Sequence, residues 1–237
     1  MSAAGPFPRR SAPQCAARRL VQLAWWSAWF GGGDAAPAAP ERWVVLDVET
    51  SGLDVARDRL LAIAAVGLRV DWSRRRLDVC LGDSFEVVLR QERASSRDNI
   101  LLHGIGVQSQ RDGWDPIEAL RAFEAFAGAA PLLAFHSAFD EALIGRHARQ
   151  HLGRRPANPW VDIEHLCAVT HPQVRARSLD EWMAHFGITC PRRHQAAADT
   201  LAECELLQRI WPAVAVECRN WRGVKRLAAQ RRWLASG

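Results

Sequence analysis

The sequence predicts an α/β domain built on a mixed five-stranded sheet flanked by helices, and three observations carry that expectation. The apolar runs 43–49, 60–70 and 77–89 have strand length and follow one another through short turns, as antiparallel neighbours do. Two later short runs, 131–135 and 160–163, alternate with helical patterns, as strands joined by crossovers do. A chain of 237 residues is long enough for one sizeable domain of this class with tails.

Taken in order, residues 1–40 read as an appendage. Arg18-Arg19 precedes Leu20–Phe30, an apolar stretch that would span ~16 Å as a helix, about half a bilayer core, so no membrane span is expected. Its twin arginines resemble an export signal only weakly, because Trp25, Trp26 and Trp29 are too bulky for one. The reading is an amphipathic helix that packs on its own domain or on a protein partner, followed by the linker Gly31–Pro40.

The Val-rich run 43–49 reads as a buried strand, and Thr50-Ser51-Gly52-Leu53-Asp54 supplies turn residues. Leu60–Val70 is a second strand, Asp71-Trp72-Ser73-Arg74 a hairpin turn, and Leu77–Leu89 a third strand. Helical content follows at Asn99–Gly104 and Asp115–Gly128, with Leu120, Phe123 and Ala127 at helical spacing. Pro131–Phe135 is a fourth strand, Phe139–Leu152 a helix, Trp160–Ile163 a fifth strand and Leu179–Phe186 a short helix. Ala196–Trp211 reads as a long helix stopped by Pro212. The expected divisions are an appendage at 1–40, a catalytic domain at 41–212 and a basic helical tail at 213–237.

Apolar content of 49% with 24% charged residues excludes disordered and membrane-embedded classes. The six cysteines form no C-x-x-C pair, which excludes a zinc ribbon and suits reduced thiols in the cytoplasm. Net charge is +3 over 1–40, −3 over 41–212 and +5 over 213–237. Basic ends around a mildly acidic middle suit a polyanionic substrate drawn to a metal-bearing site.

Four acids point to that site. Alternation along 43–49 puts Asp47 and Glu49 on one strand face, with carboxylates on the order of 7 Å apart. Asp140 follows a strand and opens a helix, where the helix dipole favours an ionised carboxylate. Asp199 lies on the helical stripe of Ala202, Leu206 and Ile210, so it should face the sheet, and Ala196, Ala197 and Ala198 allow close approach. Hard oxygen ligands gathered near a core call for Mg²⁺ or Mn²⁺. His194 is five residues before Asp199, an offset that in one helix would rotate it ~140° away, so it belongs on a loop or first turn. His136, His147, His151, His165, His171 and His185 read as surface or satisfied core residues.

Asp47-x-Glu49-Thr50-x-Gly52-Leu53, then Phe139-Asp140, then His194-x-Ala196-x-x-Asp199, in this order over roughly 70% of the chain, resembles the three motifs of the DEDDh (DnaQ-like) 3′–5′ exonucleases, a family that includes the proofreading ε subunit of bacterial DNA polymerase III. The resemblance implies an RNase H-like fold. It assigns Asp47, Glu49, Asp140 and Asp199 as ligands of two Mg²⁺ ions, for which Mn²⁺ would substitute, and His194 as general base. It further implies contacts to the terminal nucleotide from Thr50, Ser51, Gly52, Leu53, His103, His136 and Phe139. The expected substrate is a nucleic acid with a free 3′ end, single-stranded DNA ahead of RNA. The reading set against it is a catalytically silent module that binds nucleic acid or protein. Two positions depart from the family pattern. His136 stands at a usual Asn position and Ala62 at a usual Glu position, and both bear on substrate preference. No clamp-binding segment is evident after Trp211.

Overall fold

In the computed structural model the described residues are 39–234. Residues 1–38 of the appendage expected at 1–40, and the last three residues of the chain, lie outside them. Strand β1 (Glu41–Thr50) is central. It pairs antiparallel with β2 (Leu60–Asp71), which pairs antiparallel with β3 (Arg76–Val88). On its other side β1 runs parallel to β4 (Leu132–Ala134), and β4 parallel to β5 (Trp160–Asp162). The sheet order is β3-β2-β1-β4-β5, the mixed five-stranded sheet that the hairpin-then-crossover order predicts. The β2–β3 turn is closed by Asp71, whose carboxylate accepts from Ser73 Oγ at 2.5 Å and Arg74 N at 3.0 Å.

Alternation along β1 sends its side chains to two cores. Val44, Leu46 and Val48 pack with Leu120 and Phe123 of α3 (Pro116–Ala127) and with Leu143 and Ile144 of α4 (Ala138–Leu152). Trp43 and Val45 face the opposite core, which α5 (Ile163–Thr170), α6 (Leu179–Phe186), α7 (Ala196–Glu217) and α8 (Trp221–Ala228) fill. Two short helices complete the set, α1 (Arg97–His103) and α2 (Val107–Arg111).

Three sequence expectations need correction. Helix α5 went unread because the apolar run at 160–163 looks like one strand; Asp162 ends it by accepting from Glu164 N at 2.9 Å and capping the helix. Helix α2 has five residues, too few for periodicity to register. Pro212 does not stop the last long helix, which continues to Glu217. Pro212 removes one donor to the carbonyl of Gln208, but both residues are solvent-exposed, so water can serve that carbonyl. Trp211, Val214 and Ala215 on the opposite side are buried and hold the helix together.

The basic segment after 212 therefore packs on the same body. The Trp221 ring lies 4.9 Å from that of Trp43, edge to face, and Trp211 lies 5.8 Å from it on another side. The Glu41 carboxylate takes the indole N–H of Trp43 at 3.1 Å and of Trp72 at 2.9 Å. Of the two tail tryptophans, Trp221 is packed and Trp233 is exposed. Truncation after Pro212 removes Val214, Val224 and Leu227, each about 1.5–3 kcal/mol of buried apolar surface. The truncated chain is expected to lose cooperative denaturant unfolding, and a wild-type transition midpoint would contradict this packing.

The five described cysteines are free. No described helix is long and apolar enough to cross a membrane.

Candidate active site

β4 pairs with β1 only at Val44 and Val45, so the last residues of β1 extend past it. There the face that buries Trp43 and Val45 presents Asp47 and Glu49. Across the sheet they meet Ala64 and Ala62 of β2, whose small side chains leave room above them. Helix α7 lies over this face; Thr200 donates to Ala64 O at 3.3 Å and fixes the helix phase. One oxygen each of Asp47, Glu49 and Asp199 lie within 4.8 Å of one another. That is tighter than the ~7 Å that strand spacing alone gives. Asp140, buried in the first turn of α4, stands beside this trio.

Electrostatics show how close the four are. Burial raises the Asp47 carboxyl well above the usual range, and Asp140, Glu49 and Asp199 add to the rise while Arg193 opposes it. Asp140 is also pushed well up, first by burial and then by Asp162 and Glu49, against backbone N–H groups that favour its ionised form. Sequence reasoning missed a fifth acid. Glu203 is one turn after Asp199 on α7 and only 1% exposed, and it accepts from Phe135 N at 3.2 Å. Burial, then Asp47 and Asp140, hold its carboxyl well above the usual range. Its signal was available, since i and i+4 share a helix face.

His194 lies outside α7, on the loop that precedes it, at φ 61°. Its N–H donates to Asp199 Oδ2 at 3.0 Å, which ties the loop to the acid cluster. The His194 ring is edge-on to His103, 6.4 Å between centroids. Arg193 pairs with Asp199 and with Asp180, the latter at 2.6 Å, a bridge that no sequence pattern announced.

The expected substrate contacts separate into groups. His103 pairs with Glu49, at the acid cluster itself. Thr50 is buried and donates to Gly52 O at 2.5 Å, while Leu53 is 87% exposed at the tip of the turn. Ser51 donates to Asp58 at 2.9 Å, and Asp58 also accepts from Asp54 N at 2.8 Å. A Cβ at Gly52 would come within 2.5 Å of that carboxylate, so any other residue here would displace Asp58 from its bonds to the turn. His136 is exposed at φ 59°, with its N–H on Asp162 at 3.1 Å. Phe139 packs partly into the α3–α4 core, which leaves it less available than Leu53.

Glu49 Oε1 is buried and has no hydrogen-bond partner. A buried, unpartnered carboxylate oxygen on a residue that clusters with two further carboxylates is the kind of donor set a hard divalent cation takes. The raised pKa values give this a thermodynamic sign. Asp47, Asp140 and Glu203 bind protons more tightly folded than unfolded, so the stability they confer is full below their ordinary carboxylate range and is lost as pH rises through the raised values. His147 acts oppositely. Burial lowers it to about 4, so its contribution is lost as pH falls from 6.5 toward 4. Comparing melting with and without Mg²⁺ at each pH removes the His147 effect. At about a hundredfold Kd, Mg²⁺ should add about 2.7 kcal/mol near neutrality, and less near pH 5 where protons compete. A larger Mg²⁺ gain in acid would contradict the site.

Comparison with known proteins agrees with this arrangement. The sequence model of the exonuclease family matches residues 44–207. A DNA polymerase III subunit epsilon-like protein of Rhodobacter capsulatus is 32% identical over 190 residues, covering 77% of this chain and 26% of that protein. The PolC-type DNA polymerase III of Bacillus subtilis is 28% identical over 171 residues, covering 72% of this chain and 11% of that protein. The chain thus spans about a quarter or less of these relatives' length. A solved exonuclease I structure is similar with a TM-score of 0.61 at 18% identity, covering 80% of this chain and 44% of that one. Exonuclease I of E. coli in complex with a dA16 oligonucleotide gives a TM-score of 0.61 at 16% identity, covering 78% and 45%. At these identities the structural likeness concerns the fold, which is that of the mixed sheet described above.

Proposed function

We propose that this chain, which belongs to the exonuclease family, is a metal-dependent 3′–5′ exonuclease that releases nucleoside monophosphates from a nucleic-acid strand with a free 3′ end. The observation that carries this reading is the convergence of one oxygen each of Asp47, Glu49 and Asp199, with an unpartnered buried oxygen on Glu49 and with His194 tied to Asp199. Asp47, Glu49, Asp140 and Asp199 would hold two Mg²⁺ ions, with Mn²⁺ able to substitute. Bound there, the ions supply an activated water and neutralise charge at the scissile phosphate.

The protein's own groups do the rest. His194 takes the proton of the attacking water as general base, from a loop able to adjust its position. The Thr50–Leu53 turn and His103 position the terminal nucleotide, with exposed Leu53 offering its base an apolar surface. His136 and Phe139, at the start of α4, are placed to contact the adjoining nucleotide. DNA is favoured over RNA because the relatives are named for DNA polymerase III and the structural neighbour holds a dA16 oligonucleotide. The free thiols suit a reducing cytoplasm, and the Trp-rich segment near residue 25 is the candidate contact for a protein partner.

Degradation of 3′- and 5′-labelled single-stranded DNA and RNA with Mg²⁺, Mn²⁺ or EDTA tests the reading. The 3′ label should leave first, as a mononucleotide, and only with metal. Turnover in EDTA, or early release of the 5′ label, would overturn it.

A further inference from the structure

Away from the carboxylates, a cleft of about 830 Å³ opens between the start of β2, the 89–96 segment and the later turns of α4. The recess at Glu49 and His103 measures about 220 Å³. The larger cleft is cationic. Arg59, Arg90, Arg93 and Arg146 line it, and Glu92 is its one acidic lining residue. A second lobe of about 330 Å³ shares Arg90, Glu92 and His151 and adds Arg111 and Asp115.

The state of these arginines is informative. Arg90 pairs with Asp115 at 2.7 Å. Among the described residues, Arg59, Arg93 and Arg146 have no carboxylate partner. Arg59 donates to Gln91 Oε1 at 3.2 Å and to the carbonyl of Arg93. Arg146 donates to the carbonyl of Asp58, and its buried Nε has no partner. Carbonyls orient guanidinium groups without cancelling their charge, and an oriented, unneutralised guanidinium is suited to phosphate. His147 sits beneath, neutral and satisfied, accepting from Leu60 N at 3.2 Å.

The cleft adjoins the active-site turn. Arg59 N donates to Ser51 Oγ at 2.9 Å, and Ser51 N to Arg59 O at 3.0 Å. Asn99, from the helix that follows the 89–96 segment, donates to Thr50 O at 2.7 Å. Glu49 is the residue before Thr50. A strand whose 3′ end lies at Glu49 can therefore pass over the 51–59 turn into the cleft.

We propose that this cleft binds the sugar-phosphate backbone of the substrate strand upstream of its 3′ end, which makes binding depend on strand length. The inference rests on the exonuclease reading for the position of the 3′ end. It favours a strand over a small anion because the unpaired cations are distributed around a space much larger than one phosphate, and successive phosphates would meet them in turn.

The test uses the full chain in EDTA, so that hydrolysis does not intervene, and fluorescence anisotropy of labelled oligothymidylates across a salt series. Wild type should bind a dodecanucleotide more tightly than a trinucleotide. Arg59→Gln with Arg93→Gln and Arg146→Gln should close that gap and flatten the salt slope by about 2, at ~0.7 per lost contact. The three Arg→Lys replacements should keep the slope, as should Lys225→Gln with Arg226→Gln on α8 at the other end of β1. An unchanged slope in the triple Gln variant would overturn the proposal. So would equal losses for both lengths, an equal effect of the α8 variant, or displacement of the dodecanucleotide by dTMP at comparable concentration. Because these readouts need no turnover, failure of the cleft and failure of the exonuclease reading remain separate results.

Discussion

Asp47→Asn is expected to lower turnover by about a thousandfold or more while leaving the metal-free protein at least as stable as wild type at neutral pH. The two halves of this result have one cause. Asp47 is desolvated and surrounded by Asp140, Glu49 and Asp199, so its ionised form is disfavoured in the folded protein. Asparagine keeps the shape and removes the charge, which relieves that repulsion. The same change deletes one of the oxygen anions proposed to hold metal, and metal stabilisation of a phosphoryl transition state is worth several kcal/mol, about a thousandfold or more in rate. Single-turnover hydrolysis and thermal melting in EDTA measure the two halves. A variant that loses stability without losing rate would identify Asp47 as a structural residue and end its assignment as a ligand. Asp199→Ala should lose rate to a similar degree, but it also releases Arg193 and His194 N–H and is therefore the less clean test.

Loss of the imidazole at His194 should cost ~10²–10⁴-fold in turnover, the usual contribution of a positioned general base. Metal binding, followed by calorimetry or by the Mg²⁺-dependent rise in melting temperature, should persist, because His194 meets Asp199 through its backbone N–H and the side chain is not needed for that bond. Alanine tolerates φ 61° less well than histidine, so folding of the variant is checked by its melting temperature. His103 stands edge-on to His194 and pairs with Glu49, which makes it the residue to test in parallel. If His194→Ala turned over at the wild-type rate while His103→Ala did not, the base assignment would move to His103.

Much of the site was legible in the chain because its signals are local. Strand alternation alone put Asp47 and Glu49 on one face, and helix phase alone turned Asp199 toward the sheet. The five-residue offset of His194 required a loop, and a loop is what holds it. The same reasoning failed where a local rule met tertiary packing. Proline is a helix breaker in isolation, yet Pro212 lies on the solvent side of a helix whose other side is buried through Val214 and Ala215. For the basic helical tail after 212 the sequence left phosphate binding and packing both open, and its apolar residues join the Trp43 core.

By itself the sequence determined the order of the five strands and of the helices other than α2 and α5, the mixed sheet that follows from it, and the faces that Asp47, Glu49 and Asp199 occupy. These depend on periodicities that repeat within a few residues. Only the tertiary structure decided that Arg193 bridges Asp199 to Asp180, and that Arg59, Arg93 and Arg146 line one cleft. Arg193 reaches its two partners from a loop with no periodicity, and the three cleft arginines are separated by dozens of positions, so no short-range pattern encodes the distance between side chains that meet only when sheet and helices pack.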